Sequence, residues 1–261
     1  MSVLARKRQI SRHEHTNHFV TLYEYTEERL SKMAKRKYRW LGAPIASAMN
    51  QIRDEIMQLE DTYYSNGKST KEQCEHIIME LLRLQKPLIA LWNVEGYQER
   101  RMEKWASLID REINLLAGVA ELGKRTQYMM ILDRAAVNRM DCMRIMSKLH
   151  RMIYSKSISL PAYCRETKGS FLMRIADEAL YRLFAGNAII PQTRVQYEAR
   201  EKNISRALNC IKSMEQPIFA IFNILSYSNE TMEEIAALIT EEERLLIGLM
   251  KSDRKRFSGF K

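Results

Sequence analysis

A chain that repeats itself at a fixed offset is built from copies of one folding unit, and this sequence does so. The segment QKPLIALWNVEGYQERRMEKWASLIDREINLLAGV (Gln85 to Val119) aligns without a gap on EQPIFAIFNILSYSNETMEEIAALITEEERLLIGL (Glu215 to Leu249), at a constant offset of 130. Thirteen of the thirty-five pairs are identical, among them Pro87/Pro217, Asn93/Asn223, Tyr97/Tyr227, Glu112/Glu242 and Gly118/Gly248. Average composition predicts about two. The offset sets a boundary near residue 124 and predicts two domains of one fold, 1–124 and 125–261, each of ordinary single-domain size.

Each half carries four helical patterns. In the first, Phe19, Leu22, Tyr23, Leu30 and Met33 share one face of a helix over 19–34. Ile45, Met49, Ile52, Ile56 and Leu59 then recur at spacings of 3 and 4. SNGK (Ser65 to Lys68) supplies a turn, and Ser69 and Thr70 can cap a third helix that carries Ile77, Ile78, Leu81, Leu82, Leu84 and Leu88. Gly96 marks a break before Met102, Trp105, Leu108, Ile109, Ile113 and Leu116 of the fourth. The second half predicts helices near 128–155, 168–186, 194–225 and 229–252. With 9 Gly and 5 Pro in 261 residues, turn material is too scarce for an all-β fold. The expected class is all-α: two tandem antiparallel four-helix bundles. Pro87 and Pro217 fall inside the third pattern of each half, where proline predicts a kink, or else a short break.

With 46% hydrophobic residues the chain can bury a core, which excludes disorder. Cys74, Cys142, Cys164 and Cys210 form no CxxC pair and read as small buried hydrophobes of a reducing cytoplasm. The N-terminus lacks the apolar stretch of a secretory signal, and no apolar run reaches the roughly 18 residues of a membrane span. The expectation is a cytoplasmic protein without membrane contact.

The net charge of +10 divides unevenly: 20 basic against 17 acidic residues before 124, and 22 against 15 after it. Three clusters stand out: Arg6, Lys7, Arg8 and Arg12; Lys32, Lys35, Arg36, Lys37 and Arg39; and Lys251, Arg254, Lys255, Arg256 and Lys261. Such clusters replace counterions along a phosphate backbone, and Tyr38 and Trp40, interleaved with the second, are placed to stack on unpaired bases. The competing reading treats the second and third clusters as cations that suit helix C-termini, with Tyr38 and Trp40 closing a bundle end. His13, His15 and His18 in RHEHTNH raise a metal site, but with no Cys or carboxylate ligand arranged to complete it a flexible polar arm is the expected structure. His76 and His150 lie in helical patterns and need no ligand. The Met residues and Trp92, Trp105 and Phe222 fall at core spacing.

Nothing in the chain carries catalysis. There is no Walker loop, dinucleotide-binding glycine pattern, HExxH, GxSxG or core-facing Glu-x-x-His. No cofactor, no metal and no enzymatic activity are expected.

LSYSNETMEEIAALITEEERLLIGLMKS (Leu225 to Ser252) resembles the loop and fourth helix of the bacterial four-helix-bundle family of rRNA intervening-sequence proteins and diversity-generating retroelement accessory variability determinant proteins. Ile247, Gly248, Leu249, Met250, Lys251 and Ser252 match its closing motif; the first half keeps Leu116, Ala117 and Gly118. LPAYCRETKG (Leu160 to Gly169) matches the family's lead into helix two with Pro161, Arg165 and Gly169, and KYRWLG keeps Arg39, Leu41 and Gly42 without the proline. The resemblance implies a non-catalytic, ring-forming bundle that binds nucleic acid and assists a reverse transcriptase. Family rings are commonly five-fold, and whole copies of a two-bundle chain cannot close such a ring by themselves. An even-numbered assembly, a monomeric pseudo-dimer or one bundle left outside the ring is expected instead.

The expected partners are therefore RNA or an RNA/DNA hybrid, a reverse transcriptase, and further copies through bundle faces. The candidate nucleic-acid contacts are Arg6, Lys7, Arg8, Lys35, Arg36, Lys37, Arg39, Arg165, Lys168, Lys251, Arg254, Lys255 and Arg256, with Arg165 also able to cap a neighbouring helix. The charge split predicts more affinity from the C-terminal half. A helical scaffold that joins proteins without nucleic acid is the alternative.

Overall fold

The computed structural model describes residues 3–65, 70–95, 99–120, 122, 129, 130, 132–225 and 229–260, and among them there are helices and no strands. Of the predicted turns, Asn66 to Lys68 and Gly96 lie outside the described residues, as does the cap candidate Ser69. The chain divides into two compact units, 1–88 with 97–132, and 89–96 with 133–261. The division falls eight residues after the offset boundary and assigns the second part of one first-half helix, α5 (Gln85–Glu95), to the second unit.

In the first unit α1 (Val3–Ser31) packs on α3 (Ala43–Ser65) and α6 (Glu99–Val119), and α4 (Thr70–Arg83) packs on the same two. Four helices thus touch in a closed cycle. The core is the meeting of their apolar stripes: Phe19, Leu22 and Leu30 of α1, Ile45, Met49, Ile52 and Ile56 of α3, Ile77 and Leu81 of α4, and Trp105, Ile109, Ile113 and Leu116 of α6 are all buried. Trp105 meets Tyr25 edge-on at 6.0 Å.

The second unit repeats the cycle. Its helix α8 (Asp141–Ser159) packs on α10 (Ser170–Ala188) and α12 (Asn229–Arg256), and α11 (Arg194–Leu225) packs on both. The short α7 (Arg134–Arg139) precedes α8, capped by the Asp133 carboxylate, which accepts from Ala135 N at 2.7 Å. The helix expected over 128–155 is therefore interrupted at Met140, whose extended backbone separates the two. Gly186 lets α10 close on α11, since a Cβ there would stand 3.0 Å from Ile204 Cγ1.

The two prolines act differently. Before Pro87 the chain breaks at Leu84 between α4 and α5 (Gln85–Glu95), whereas Pro217 lies within a continuous α11. α4 ends at Arg83, whose carbonyl is the one Pro87 cannot bond, whereas α11 runs on past the corresponding bond that Pro217 cannot make to Ser213.

The polar arm expected around RHEHTNH is instead helix: α1 begins at Val3. His15 and His18 are buried and continue the apolar stripe of Phe19 and Leu22 upstream, so two titratable side chains occupy core positions. None of the four cysteines is in a disulfide; Cys74, Cys142 and Cys164 are buried and Cys210 half-buried.

Candidate functional site

In the second basic cluster Lys32 lies just past the end of α1, paired with Glu28, whereas Lys35, Arg36, Lys37 and Arg39 sit at the start of the next helical run. After Ser31, α1 has ended; Ala34 is extended (φ −58°, ψ 133°), and a helical run opens with α2 (Lys35–Lys37), continues as a π-turn over Tyr38–Gly42 and passes into α3. The π register is visible where Ala43 N–H donates to the Tyr38 carbonyl, five residues back. Gly42 is required there: a Cβ would stand 2.7 Å from Tyr38 Cδ2, so the tyrosine ring lies against bare backbone. Lys35, Lys37 and Arg39 are exposed, Tyr38 and Trp40 half-buried, and the Arg39 guanidinium lies 5.4 Å from the Trp40 ring centre. The Arg36 side chain lies outside the described residues.

The second unit builds the same device. Pro161 is extended (φ −52°, ψ 149°), α9 (Ala162–Cys164) follows, a π-turn spans Arg165–Gly169, and Ser170 N–H donates to the Arg165 carbonyl before α10 begins. Gly169 again meets close neighbours, with Leu160 Cδ1 at 3.1 Å from an added Cβ. Arg165 is half-buried and its Nη1 donates to the carbonyls of Ile158 and Leu160 at 3.4 Å, closing the end of α8. Lys168 is exposed beside Thr167 and Phe171.

Lys168 opens onto a groove of about 1020 Å³ between the start of α10 and the middle of α11, lined by Phe171, Asn209, Lys212, Ser213, Gln216 and Pro217. Phe171 is 41% exposed and Phe219, nearby in α11, 62%; the Arg174 guanidinium rests 5.4 Å from the Phe171 ring centre. Such exposure is unusual for phenylalanine.

Lys251, Arg254, Lys255 and Arg256 occupy the last turns of α12 and are exposed, where cations suit the helix dipole. Arg254 Nε donates to Glu201 Oε1 at 3.0 Å. Beside it, Asp253 turns inward to Arg200 Nε at 2.6 Å, and Arg200 Nη1 donates to the carbonyls of Gly186 and Ile189 at 3.0 and 3.1 Å. Arg6, Lys7 and Arg8 lie in α1, with side chains outside the described residues. The candidates thus occupy four separate places: the first turns of α1, the first π-turn, the second π-turn with its groove, and the end of α12.

Sequence reasoning missed three buried polar sites. Glu112 of α6 accepts from His15 Nδ1 at 3.1 Å and His18 Nδ1 at 2.9 Å, one imidazole on each carboxyl oxygen. Its repeat partner, Glu242 of α12, is also fully buried, yet neither oxygen has a partner. Burial, with the Glu241 charge adding to it, pushes the Glu242 carboxyl up to about 9. Burial and Glu242 in turn push the Cys142 thiol up to about 11, which makes it inert as a nucleophile. The identical pair Glu112/Glu242 was the available signal.

In the second unit, Asn93 Nδ2 donates to the Ser147 carbonyl at 3.0 Å and lies 3.1 Å from His150 Nδ1; His150 Nε2 lies 2.9 Å from Asp177 Oδ1, and Tyr154 OH donates to Asp177 Oδ2 at 3.0 Å. The amide donor fixes the imidazole with its proton on Nε2, aimed at the carboxylate. Burial first, and Asp177 second, hold the Tyr154 hydroxyl well above its ordinary value. This chain joins the α5 segment to α8 and α10 and is a structural lock. Among the described residues no group of three His, Cys, Asp or Glu side chains is placed to hold a metal ion, and no helix is long and apolar enough to cross a membrane.

Comparison with protein-family models, curated proteins and solved structures finds no match to this chain in any of the three.

Proposed function

We propose that the chain is a tandem pair of homologous antiparallel four-helix bundles that binds RNA in the cytoplasm, has no catalysis of its own and serves as an accessory to a reverse transcriptase of a diversity-generating retroelement. The repeated cycle of helix contacts and the repeated π-turn ahead of the second long helix support the homology of the units.

One observation carries the nucleic-acid reading. Lys35, Lys37 and Arg39 crowd the first turns of a helical run that has no acidic residue in its opening turn. Cations there oppose the helix dipole, so the explanation that serves the end of α12 fails for this cluster. Basic side chains crowded at a helix start, where the dipole also favours negative charge, suit a phosphate. Tyr38 and Trp40 lie beside it to receive unpaired bases.

The test is fluorescence anisotropy of full-length protein with a structured RNA at low and physiological salt. Binding that weakens steeply with salt is expected; no binding at low salt, or binding indifferent to salt, overturns the reading. The reverse-transcriptase role is tested by the gene neighbourhood, where template and variable repeats beside a reverse transcriptase are expected.

A further inference from the structure

We propose that the groove between the start of α10 and the middle of α11 holds a single-stranded nucleic acid, a base stacking on Phe171 and the flanking phosphates resting on Lys168 and Lys212. The proposal rests on the nucleic-acid reading above and adds the strand type and the site.

Four features of the groove converge. Its charged lining is Lys168 and Lys212 against Glu215, and Arg174 reaches the Phe171 ring from the same helix. The groove therefore attracts an anion. Phe171, in the lining, presents ring surface to solvent, which costs stability unless a ligand covers it; stacking on an unpaired base is the contact such a ring makes with nucleic acid. Asn209 and Gln216 bring amides with both donors and acceptors, as base edges require. Pro217 has no N–H, so the helix ladder omits the bond it would give to the carbonyl of Ser213, another residue of the lining.

The α11 surface extends the same character. Lys202, Arg206, Asn209, Ser213 and Gln216 follow one another at spacings of 4, 3, 4 and 3 and include no acid, so a basic and amide-bearing stripe leads to the groove. The open groove of the first unit is different: Glu103 and Asp110 outnumber Arg111 along it, and it would repel phosphate. A duplex keeps its base faces stacked inward and offers Phe171 nothing to stack on, which selects a single strand.

Full-length protein is titrated by anisotropy with labelled oligouridine, an RNA duplex of equal length and an oligoglutamate peptide. Phe171→Leu keeps an apolar side chain and removes the ring; it is expected to weaken oligouridine about tenfold and leave the duplex unchanged. Lys168→Gln with Lys212→Gln alters only exposed side chains and is expected to flatten the salt slope for oligouridine by about 1.4. If the unmodified protein binds oligouridine and both variants bind it equally well, the groove proposal is overturned while the nucleic-acid reading stands. If the unmodified protein binds no RNA, both fall. Oligoglutamate binding with the same dependence on Phe171 overturns the proposal in favour of an acidic protein segment.

Discussion

Glu112 and Glu242 occupy equivalent places in the repeat and should respond oppositely to the same substitution. Glu242→Gln keeps the size and both polar atoms of the side chain but cannot ionise. The native Glu242 carboxyl is raised from 4.5 to about 9, so the folded state retains a proton that the unfolded state releases across this window. Stability contributed by this group is fully present below about pH 4.5, falls as pH rises towards 9, and is flat beyond. At pH 7 the gap is about 2.5 units, or roughly 3 kcal/mol at about 1.4 kcal/mol per unit, an upper bound on what the substitution recovers. Urea denaturation followed by circular dichroism should therefore show little difference between Glu242→Gln and the unmodified chain at pH 5. By pH 7 the variant should be stabler by about 1–3 kcal/mol, and the advantage should widen further towards pH 8.5. A difference that stays constant with pH, or a variant less stable throughout, would refute the account of Glu242 as a neutral, unpartnered acid.

The companion variant Glu112→Gln leaves two buried imidazoles with a poorer acceptor and should cost about 2–3 kcal/mol in the same denaturation assay. Asp253→Asn strips the buried charge partner from Arg200 and should cost about 3 kcal/mol, read as a lower urea midpoint. Among glycines the sign should split: Gly42→Ala drives a Cβ into Tyr38 and should destabilise by about 1–3 kcal/mol, whereas Gly248→Ala meets nothing within 4 Å in mid-helix and should stabilise by about 0.5–1 kcal/mol, both seen as shifts in Tm.

The long helices were legible because their apolar residues keep a 3–4 rhythm: the predicted 194–225 is α11 to the residue, and Ile45 to Leu59 lie within α3. The N-terminal helix was not, because His15 and His18 hold core positions usually taken by Leu or Ile, and a polar run reads as an arm. What buries them is Glu112, ninety-four and ninety-seven residues away, and no local pattern reports such a partner. The basic run at 35–39 was legible as charge, but its meaning depended on which helix it joined. The resemblance of Arg39, Leu41 and Gly42 to a lead into helix two pointed one way and the helix-end reading the other; the break at Ala34 shows that the run opens α3 instead of closing α1. Arg165 was read as both contact and cap, and its hydrogen bonds to Ile158 and Leu160 supply the cap. The groove at Phe171 escaped notice because its two walls are separated by about forty residues and neither carries a motif.

The cluster that opposes the helix dipole is tested by one salt titration. Affinity for a structured RNA is measured across a range of salt for the unmodified protein, for Lys35→Gln/Lys37→Gln/Arg39→Gln, and for Lys251→Gln/Lys255→Gln/Arg256→Gln. The first triple variant is predicted to reduce the log–log slope by about 2 to 3, one phosphate for each cation removed, and the second to change it by less than about 1. Equal slopes for all three proteins, or a larger loss from the α12 triple, would contradict the assignment of the first π-turn as a phosphate-binding surface.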